Sequence, residues 1–525
     1  MDVIVNRVQT LLDYQDFVIT QFPIGLESHA EKVIRCIENH STKVCMLGIW
    51  GMGGSGKTTF AKAIYNRIYR PFIGKSYIEN IEKVRNPVYG THVHLQEKLL
   101  YNVLKTDLEV ESVAMGRTII ETELSRRKLL IVLEDVNEFG QLANLCGNLK
   151  WFGKGTVIII TTTDVRVLNR LKVNYIYKMN VMNENESLEL FSWHAFEAAK
   201  PRKELNEHAR NIVAYCGRLP LALKLFGSFL CGTTMEEWEI LLPKLTLIPI
   251  PQVEEKLKIS FDGLRDSEKD IFLVICCFFI GKERGCVTEI LNGCGLPADI
   301  GITVLIECCL IKVGRNNKID MHPLVQRMGG EIIRERWPLE PENRSQLWFQ
   351  DDVEDVVKMY IARTFFVWFW NFFWMCFLSK CNACVFNLWD STLSISNLLV
   401  STDFLLCFSL LFSSQGTKAT RGLSLRLHSN KINCLEAHTF KKMKRLRLLQ
   451  LDHVQLNADY RHLFKDLRWI CWQRFPFIYI PNNFYMKNII AIDFKHSHLQ
   501  LVWKPPLWKQ PQVFITLPFH VKFIG

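Results

Sequence analysis

Residues 51–60 read Gly51-Met52-Gly53-Gly54-Ser55-Gly56-Lys57-Thr58-Thr59-Phe60 and match the pattern G-x-x-x-x-G-K-[ST]. An apolar run at residues 44–50 precedes this stretch, and a helix-compatible run at residues 58–70 follows it. Strand, glycine-rich turn and helix in this order form a phosphate-binding loop, because the loop amides and the helix N-terminus attract anions. The alternative is a glycine-rich turn with a chance lysine, which would require neither the preceding apolar run nor the following helix. The stretch therefore predicts an α/β P-loop nucleotide-binding core.

The loop residues themselves are the predicted phosphate ligands. Backbone amides would close on phosphate oxygens, and the Lys57 ammonium would reach the β- and γ-phosphates. The Thr58 hydroxyl would sit on Mg²⁺. The predicted cofactor-binding residues of the loop are Gly51, Gly53, Gly54, Ser55, Gly56, Lys57, Thr58 and Thr59.

Two acidic residues follow a second predicted strand at residues 128–133. Its consecutive apolar residues suit a strand that is buried on both faces of a parallel sheet. Glu134 and Asp135 stand at the carboxyl end of this strand, where ligands bind in such sheets. We expect one of them to hold Mg²⁺ through water, with Glu134 as the metal candidate, and the other to polarise an attacking water. Both are therefore catalytic candidates. The alternative is a surface acidic pair after a core strand, and the P-loop upstream makes that interpretation less favoured.

Alternating strands and helices predict a doubly wound α/β core. A third strand is expected at residues 156–160, and residues 102–125 are expected to form loop and helix. From residue 183 the pattern becomes helical, with helices near 184–197, 271–280 and 298–309. Pro220 stands at a predicted helix start, where proline is tolerated. Helical domains therefore follow the core.

Length and composition indicate a cytoplasmic protein of several domains. The chain has 525 residues, a formal net charge of +11 and 48% hydrophobic residues, which suits roughly two to four globular domains. Residues 1–21 contain no apolar core of a signal peptide. The 17 cysteines are scattered, and the pair Cys381-x-x-Cys384 has no partner pair at zinc spacing. We expect reduced thiols and a cytoplasmic location, with the nucleus as the alternative.

Three apolar triplets recur late in the chain and predict leucine-rich repeats. Leu446-x-x-Leu449-x-Leu451, Leu467-x-x-Ile470-x-Trp472 and Ile489-x-x-Ile492-x-Phe494 begin 21 and then 22 residues apart. Leu423-x-Leu425-x-Leu427 is a degenerate earlier unit, and the pattern fades after residue 503. We therefore expect a short, truncated β/α solenoid whose concave face suits protein partners.

A basic cluster precedes one repeat strand. It consists of Lys441, Lys442, Lys444, Arg445 and Arg447. We interpret it as a solvated convex face and not as a site for nucleic acid or phosphoinositide.

Residues 360–415 interrupt this organisation. Within residues 364–378, nine of 15 are Phe or Trp, but a membrane helix needs about 20 apolar residues. One interpretation is a membrane hairpin or anchor. The interpretation we prefer is a translated intron, because the segment is rich in residues with T-rich codons and its removal joins residue 359 to 416. We expect membrane contact only if this insert is real, and the transcript sequence decides between the two.

Several blocks occur in the order of one known family. They are the P-loop, the block Leu133-Glu134-Asp135-Val136-Asn137, the block Gly217-Arg218-Leu219-Pro220-Leu221-Ala222-Leu223, residues 272–279 and Met321-His322-Pro323. Together they resemble the NB-ARC nucleotide switch of plant disease-resistance proteins of the nucleotide-binding, leucine-rich-repeat class, in its TIR-linked branch. The resemblance covers residues from about 22 to 355 and resumes at 416.

The resemblance implies a signalling switch in plant innate immunity. Such a switch alternates between an ADP-bound resting state and an ATP-bound active state with Mg²⁺, and hydrolyses ATP slowly at most. Ile24 and Pro220 would lie beside the adenine, and His322 would contact the β-phosphate of ADP. The implied partners are a pathogen effector or a guarded host protein, sensed through the repeats. The partners implied on activation are a TIR-containing receptor or further copies of the chain.

Three positions depart from the family pattern. Glu134 replaces the usual aspartate, Thr163 replaces an arginine that reads the γ-phosphate, and Pro323 replaces the last residue of Met-His-Asp. We expect nucleotide binding to persist, γ-phosphate sensing to weaken and the resting state to leak. Because only 21 residues precede residue 22, where the family has its TIR domain, we expect no NAD-cleaving site.

The predicted organisation has eight segments. They are a remnant or linker at 1–21, a nucleotide-binding domain at 22–180, a helical domain at 181–250, a winged-helix domain at 251–335, a linker at 336–359, the insert at 360–415, truncated repeats at 416–505 and a tail at 506–525. Two other functions stay open. One is a truncated adaptor or decoy that binds partners without signalling, and the other is a different P-loop signalling ATPase, such as a transcription factor.

Overall fold

The computed structural model describes residues 16–40, 42–81, 90–241, 251–314, 316–336 and 346–348, together with 420–426, 434–436, 443, 445–452, 454–457, 466–475, 488–494, 496–497 and 514–516. The chain divides into two compact units. The first contains residues 1–265, 303–312 and 321–328, and the second contains residues 266–302, 313–320 and 329–525. Each unit is built on a parallel sheet of its own.

A five-stranded sheet organises the first unit. Its strands are β1 (Cys45–Gly51), β2 (Gly74–Ile78), β3 (Leu129–Leu133), β4 (Val157–Thr162) and β5 (Tyr175–Met179). Their order is β2-β3-β4-β1-β5, and every neighbouring pair is parallel. The three strands predicted from apolar runs are β1, β3 and β4, and the predicted α/β core with a parallel sheet is confirmed.

Helices cover both faces of this sheet. They are α1 (Leu26–Glu38), α2 (Lys57–Ile68), α3 (Thr91–Leu104), α4 (Val113–Leu124), α5 (Phe139–Cys146) and α6 (Val165–Leu171). Because side chains alternate along a strand, Ile131 and Ile158 point into one core, which packs against α3 to α6. Leu130 and Ile159 point into the other core, which packs against α1 and α2. The two cores fix the sheet between its helical layers and hold the β1–α2 loop at the carboxyl edge.

The two edge strands, β2 and β5, are not predicted by the sequence pattern. β2 alternates buried and half-buried residues, and β5 has no buried residue. Continuous apolar runs mark only strands that are covered on both faces. An edge strand has neighbours on one side only, so its composition is closer to that of a loop.

A helical segment follows the sheet within the first unit. Its helices are α7 (Glu184–Phe196), α8 (Asn206–Tyr215), α9 (Pro220–Leu230), α10 (Met235–Leu241) and α11 (Pro251–Asp262). Asn183 caps α7 by accepting from the Glu186 amide at 2.9 Å, and the Glu186 carboxylate accepts from the Asn183 amide at 3.2 Å. Pro220 opens α9 at its first turn, as predicted.

Further helices lead into the second sheet. α12 (Asp266–Val274) continues into a π-helical turn, Ile275–Phe279, and α13 (Arg284–Gly293) follows. α14 (Ala298–Glu307), β6 (Lys312–Val313), β7 (Ile319–Asp320) and α15 (Pro323–Arg336) come next in the chain. The helices predicted at residues 271–280 and 298–309 are therefore present, the first as the end of α12 and the π turn.

The second unit contains strands at the positions of the three apolar triplets. A six-stranded parallel sheet has β8 (Gln346–Leu347), β9 (Gly422–Arg426), β11 (Leu448–Asp452), β13 (Trp469–Gln473), β14 (Ala491–Asp493) and β15 (Phe514–Thr516), paired successively in that order, and β10 (Cys434–Glu436) pairs separately with β12 (Gln455–Asn457). Leu449 pairs with Ile470, which pairs with Ile492. All three are buried, so equivalent positions of the triplets stack in one apolar row.

Three arginines stand directly before successive strands of this sheet. The Arg447 amide donates to the Arg421 carbonyl, and the Arg468 amide donates to the Arg447 carbonyl, each at 2.8 Å. The Arg468 guanidinium also donates from Nε to the Gly293 carbonyl at 2.9 Å and from Nη1 to the Asn488 carbonyl at 3.1 Å. A cation at the last carbonyl of α13 also suits the negative end of the helix dipole.

We expect Arg468→Ala to lower the free energy of unfolding by about 2 kcal/mol, because two partly buried carbonyls lose a charged donor. Urea denaturation of the chain measures this change. Arg445→Ala is the matched control, since that exposed side chain has no hydrogen bond among the described residues. Equal effects of the two substitutions would contradict the prediction.

Several sequence predictions fall outside the described residues. These are the insert at 360–415, with both of its interpretations, the pair Cys381-x-x-Cys384 and most of the basic cluster. Within the part of the chain that the structure describes, no helix is both long enough and apolar enough to cross a bilayer.

Candidate functional site

The P-loop joins β1 to α2, and its path requires glycine at several positions. Gly54 and Gly56 have φ angles of 77° and 94°, in the left-handed region that disfavours a Cβ. A Cβ on Gly53 would lie 2.4 Å from the Lys256 carbonyl oxygen. Among the described residues, no backbone hydrogen bond is donated by the amides of Gly54, Gly56 or Lys57. These amides at the start of α2 are therefore available to an anion.

Lys57 is folded back over the loop. Its side chain is buried, and the ammonium donates to the Gly51 and Met52 carbonyl oxygens at 3.0 and 3.1 Å. Burial lowers the pKa of Lys57, and the nearby Asp135 carboxylate opposes that effect. Next to it, the buried Ser55 hydroxyl has no hydrogen-bond partner in the described part of the chain. The loop thus presents a cation and an unpaired hydroxyl at one place.

Glu134 lies behind the loop at the end of β3, with 2% of its surface exposed. Its carboxylate accepts a hydrogen bond from the Tyr77 hydroxyl at 2.7 Å, and the Thr58 side chain lies close to it. Burial raises the pKa of Glu134, and the Tyr77 hydrogen bond opposes this shift. The structure therefore brings Thr58 and Glu134, the two residues predicted to hold Mg²⁺, close together.

The raised pKa of Glu134 predicts a pH dependence of stability. The folded chain binds this proton more readily than the unfolded chain, so the free energy of unfolding falls as pH rises from the ordinary carboxyl range through the raised value. The slope is at most about 1.4 kcal/mol per pH unit. We expect Glu134→Gln to remove this slope in urea denaturation measured across that range. Glu138→Gln, at an exposed position, is the control, and an unchanged slope in Glu134→Gln would contradict the prediction.

Asp135 occupies a strained backbone position at the mouth of the site. Its φ is 54°, a left-handed conformation that side chains other than glycine adopt rarely. The Asp135 amide donates to the Thr161 hydroxyl at 3.0 Å, which fixes the turn after β3 against β4. Its half-buried carboxylate lies 3.9 Å from the Lys256 ammonium of α11. The carboxylate therefore faces a cation that the sequence analysis did not include.

Thr163 lies beside this acid without contributing a charge. Its hydroxyl donates to the Asn137 side-chain oxygen at 3.2 Å, and its carbonyl accepts from the Trp50 indole at 3.2 Å. The side chain is therefore already engaged in the loop after β4.

A cavity of about 560 Å³ opens beside the loop, within the usual size range of small-ligand sites. Lys57, Thr58 and Asp135 line one side of it. The other side is mainly apolar and includes the two predicted adenine contacts, Ile24 and Pro220. The remaining predicted loop residues in its wall are Gly53, Gly54, Ser55, Gly56 and Thr59. The structure therefore brings most of the predicted site residues to one cavity.

Three predicted residues lie next to this cavity but do not form its wall. Gly51 lies beneath the loop, where its carbonyl accepts from Lys57. Glu134 lies behind Thr58. His322 is buried, and its Nε2 lies 3.0 Å from the Gly217 carbonyl while its Nδ1 accepts from the Leu324 amide at 3.2 Å. That pattern requires the neutral ring protonated on Nε2, and the contact of His322 with a phosphate stays a prediction.

His322 nevertheless connects indirectly to the loop. Gly217 has a φ of 57°, and a Cβ there would lie 2.2 Å from His322 Nε2. Three residues later Pro220 begins α9, and the Leu221 amide donates to the Gly54 carbonyl at 3.3 Å. The turn between α8 and α9 is therefore held by His322 on one side and by the P-loop on the other.

Two parts of the chain match known domain families. Residues 26–200 match the NB-ARC domain family, and residues 265–337 match the winged-helix domain of Roq1-like disease resistance proteins. The chain carries an NB-ARC domain and a Roq1-like winged-helix domain. The resemblance inferred from the motifs is confirmed at this level, and the predicted domain boundaries stay predictions.

Known plant proteins are similar in sequence to most of the chain. Disease resistance proteins RPV1 and RUN1 of Vitis rotundifolia are 32% and 34% identical over 92% and 91% of this chain. The chain spans about a third of their length, 32% and 34% respectively. A Walker-type ATPase of Pyrococcus abyssi superposes with a TM-score of 0.40 at 13% identity, over 58% of this chain and 96% of that one.

Three side chains of the NB-ARC site were not predicted from the sequence. Lys224 on α9 and Lys256 on α11 line the cavity, and Tyr77 on β2 binds Glu134. Neither lysine belongs to a motif: Lys224 directly follows the block that ends at Leu223, and Lys256 stands on α11, away from every quoted block. Tyr77 lies on an edge strand that the apolar pattern did not predict.

The residues of this NB-ARC site fit a magnesium-bound nucleotide. The unpaired Ser55 hydroxyl and the free loop amides provide donors for phosphate oxygens. Thr58 and Glu134 together provide a hydroxyl and a carboxylate, which are oxygen ligands of the kind that Mg²⁺ prefers. The apolar wall offers a surface for a base.

Proposed function

We propose that this chain binds ADP and ATP with Mg²⁺ in the cavity beside the P-loop and acts as a nucleotide-operated switch in plant immune signalling. The cavity is the observation that carries the proposal. One side combines a phosphate loop with the Asp135 carboxylate, and the other side is mainly apolar. A nucleotide has the same polarity, with charged phosphates at one end and a planar base at the other.

Lys57 would bind the β- and γ-phosphates. In the described structure its ammonium is held by two loop carbonyls, and phosphate oxygens would make stronger, charge-assisted hydrogen bonds. Thr58 and Glu134 would hold Mg²⁺, which when bound supplies positive charge beside the phosphate oxygens. Asp135, which is more exposed, would orient a water for slow hydrolysis.

Ile24 and Pro220 would contact the adenine from two different elements of the chain. Ile24 precedes α1, and Pro220 opens α9. Because α9 is also tied to Gly54 and to His322, a base at Pro220 would stabilise one arrangement of the helical segment against the sheet. Different affinities of ADP and ATP for two arrangements would then shift their populations.

The stacked triplets of the second unit would provide the partner surface. Their parallel register and their period of 21 and 22 residues support a leucine-rich-repeat solenoid. Its concave face would bind a pathogen effector or a guarded host protein. A TIR-containing receptor or further copies of the chain would join on activation.

The nucleotide retained by the purified 525-residue chain tests this proposal. We expect ADP after denaturation and chromatography, since a resting switch holds its product. ATP in its place would support a binding site with a weak lock at Pro323. No nucleotide in folded protein, together with no binding of added ADP or ATP, would overturn the proposal and favour the decoy.

A further inference from the structure

Lys256 is one of two cavity lysines, the other being Lys224, that lie outside the sequence motifs. It stands on α11, and its backbone carbonyl packs against Gly53 so closely that a Cβ there would lie 2.4 Å away. Its ammonium lies 3.9 Å from the Asp135 carboxylate, and both groups are partly exposed, at 42% and 27%. The helix backbone is thus fixed on the P-loop while the side chain reaches toward the acid.

The ion pair between Lys256 and Asp135 is one that a ligand can replace. At 3.9 Å it is longer than a direct charged hydrogen bond, and partly exposed pairs of this kind stabilise a fold weakly. A phosphate oxygen would offer Lys256 a denser negative charge. If Asp135 turns toward a metal-bound water, the lysine also loses its present partner.

The charge distribution around the loop leaves this place to Lys256. Lys57 is buried against the carbonyls of Gly51 and Met52, at the base of the loop. Position 163, at the end of β4, carries a hydroxyl that is bonded to Asn137. Lys256 and Lys57 are close enough that Lys256 lowers the pKa of Lys57. Their two positive charges therefore act on one region of the cavity, which an additional phosphate would neutralise.

We propose that Lys256 recognises the terminal phosphate of a nucleoside triphosphate, in exchange for its ion pair with Asp135. This inference rests on the proposed nucleotide site and names the residue that distinguishes a triphosphate from a diphosphate there. A diphosphate leaves Lys256 with Asp135, and a triphosphate draws it over the loop.

The exchange would be passed on through α11. Glu254, two residues before Lys256, lies 3.8 Å from the Arg327 guanidinium of α15. Arg327 in turn donates to the Tyr215 hydroxyl at the end of α8. α11 therefore links the phosphate end of the cavity to α15, the helix that begins beside His322. A different partner for Lys256 changes the contacts that hold this helix.

Calorimetric titration of the 525-residue chain with ADP and with a non-hydrolysable ATP analogue, each with Mg²⁺, tests the inference. We expect Lys256→Met to weaken the ATP analogue about tenfold or more, the effect of losing one charged hydrogen bond, and to change ADP affinity less than twofold. Lys256→Arg retains the charge and keeps most of the discrimination. Lys258→Met is the control, because it removes the same charge from α11 at a position that does not line the cavity.

The outcomes separate this inference from the proposed function. Equal losses for both nucleotides in Lys256→Met, or no loss for either, overturn the role of Lys256 while nucleotide binding by the parent stands. A parent chain that binds neither nucleotide overturns the proposed function and this inference with it. Amide exchange provides a second readout. We expect residues 251–262 to exchange more slowly with the ATP analogue than with ADP in the parent, and equally in Lys256→Met.

Discussion

Replacement of Lys57 by alanine is expected to abolish nucleotide retention by the purified chain and to weaken ADP and ATP binding roughly 100-fold or more. The ammonium is the buried charge of the loop, and its two carbonyl contacts place it at the start of α2. Alanine removes the charge and leaves the Gly51 and Met52 carbonyls without this donor. Calorimetric titration measures the loss, and chromatography of the denatured protein shows whether nucleotide remains.

Lys62→Ala is the matched control for this substitution. Lys62 stands on the same helix, five residues later, and its ammonium pairs with Glu79 at 2.7 Å instead of lining the cavity. We expect Lys62→Ala to retain nucleotide at the parental level. Far-ultraviolet circular dichroism of both variants shows whether a loss of binding is a loss of folding. Parental affinity in folded Lys57→Ala would contradict the P-loop assignment.

Gly217→Ala is expected to destabilise the first unit by about 2–4 kcal/mol. The left-handed φ of 57° alone costs a β-carbon roughly 1–2 kcal/mol. The new Cβ would also lie 2.2 Å from His322 Nε2, so the buried ring must move and its contact with the Gly217 carbonyl is strained or lost. The midpoint of urea denaturation, followed by tryptophan fluorescence, measures the change.

Gly232→Ala separates the two costs. Gly232 has a φ of 76°, but a Cβ there would meet nothing within 4 Å. The substitution Gly232→Ala therefore adds only backbone strain, and we expect it to lower the free energy of unfolding clearly less than Gly217→Ala does. In a double-mutant cycle, His322→Ala should relieve part of the Gly217→Ala effect, because it removes the atom that the new Cβ meets. Equal effects at both glycines, or strict additivity with His322→Ala, would contradict the predicted clash.

The position of His322 also bears on the proline that follows it. Pro323 opens α15, where a missing N–H is tolerated, and the Leu324 amide donates to His322 Nδ1. The ring is thus oriented without an acid at position 323. Whether the resting state leaks, as the departure from Met-His-Asp predicts, depends on the ADP and ATP affinities of the two arrangements. The nucleotide content of the purified chain reports on that balance.

Local sequence was sufficient to predict the P-loop and the strands buried on both faces. The glycines at 54 and 56 are required by left-handed φ angles that any chain following this path must adopt, and the lysine and threonine after them begin a helix. β1, β3 and β4 are continuous apolar runs because both of their faces pack against helices. The triplets were predicted equally well, since their regular spacing places equivalent apolar positions in one buried row.

Edge strands and long-range contacts left no such signal. β2 and β5 are covered on fewer sides, so their residues do not form an apolar run. The bond from Tyr77 to Glu134 joins two strands that are 57 residues apart in the chain. No periodicity records a pairing at that separation, because the positions in between belong to other elements.

The sequence by itself determined that the chain carries an NB-ARC domain and where its P-loop lies, since both depend on motifs whose residues are close together in the chain. Only the tertiary structure decided where Lys256 and His322 lie. Lys256 lies at Asp135 because α11 packs on the P-loop, and His322 lies at Gly217 because α15 returns to the turn before α9. The partner of a side chain depends on which elements pack together. The packing of segments that are distant in the chain decides this, and the neighbouring residues in the sequence do not.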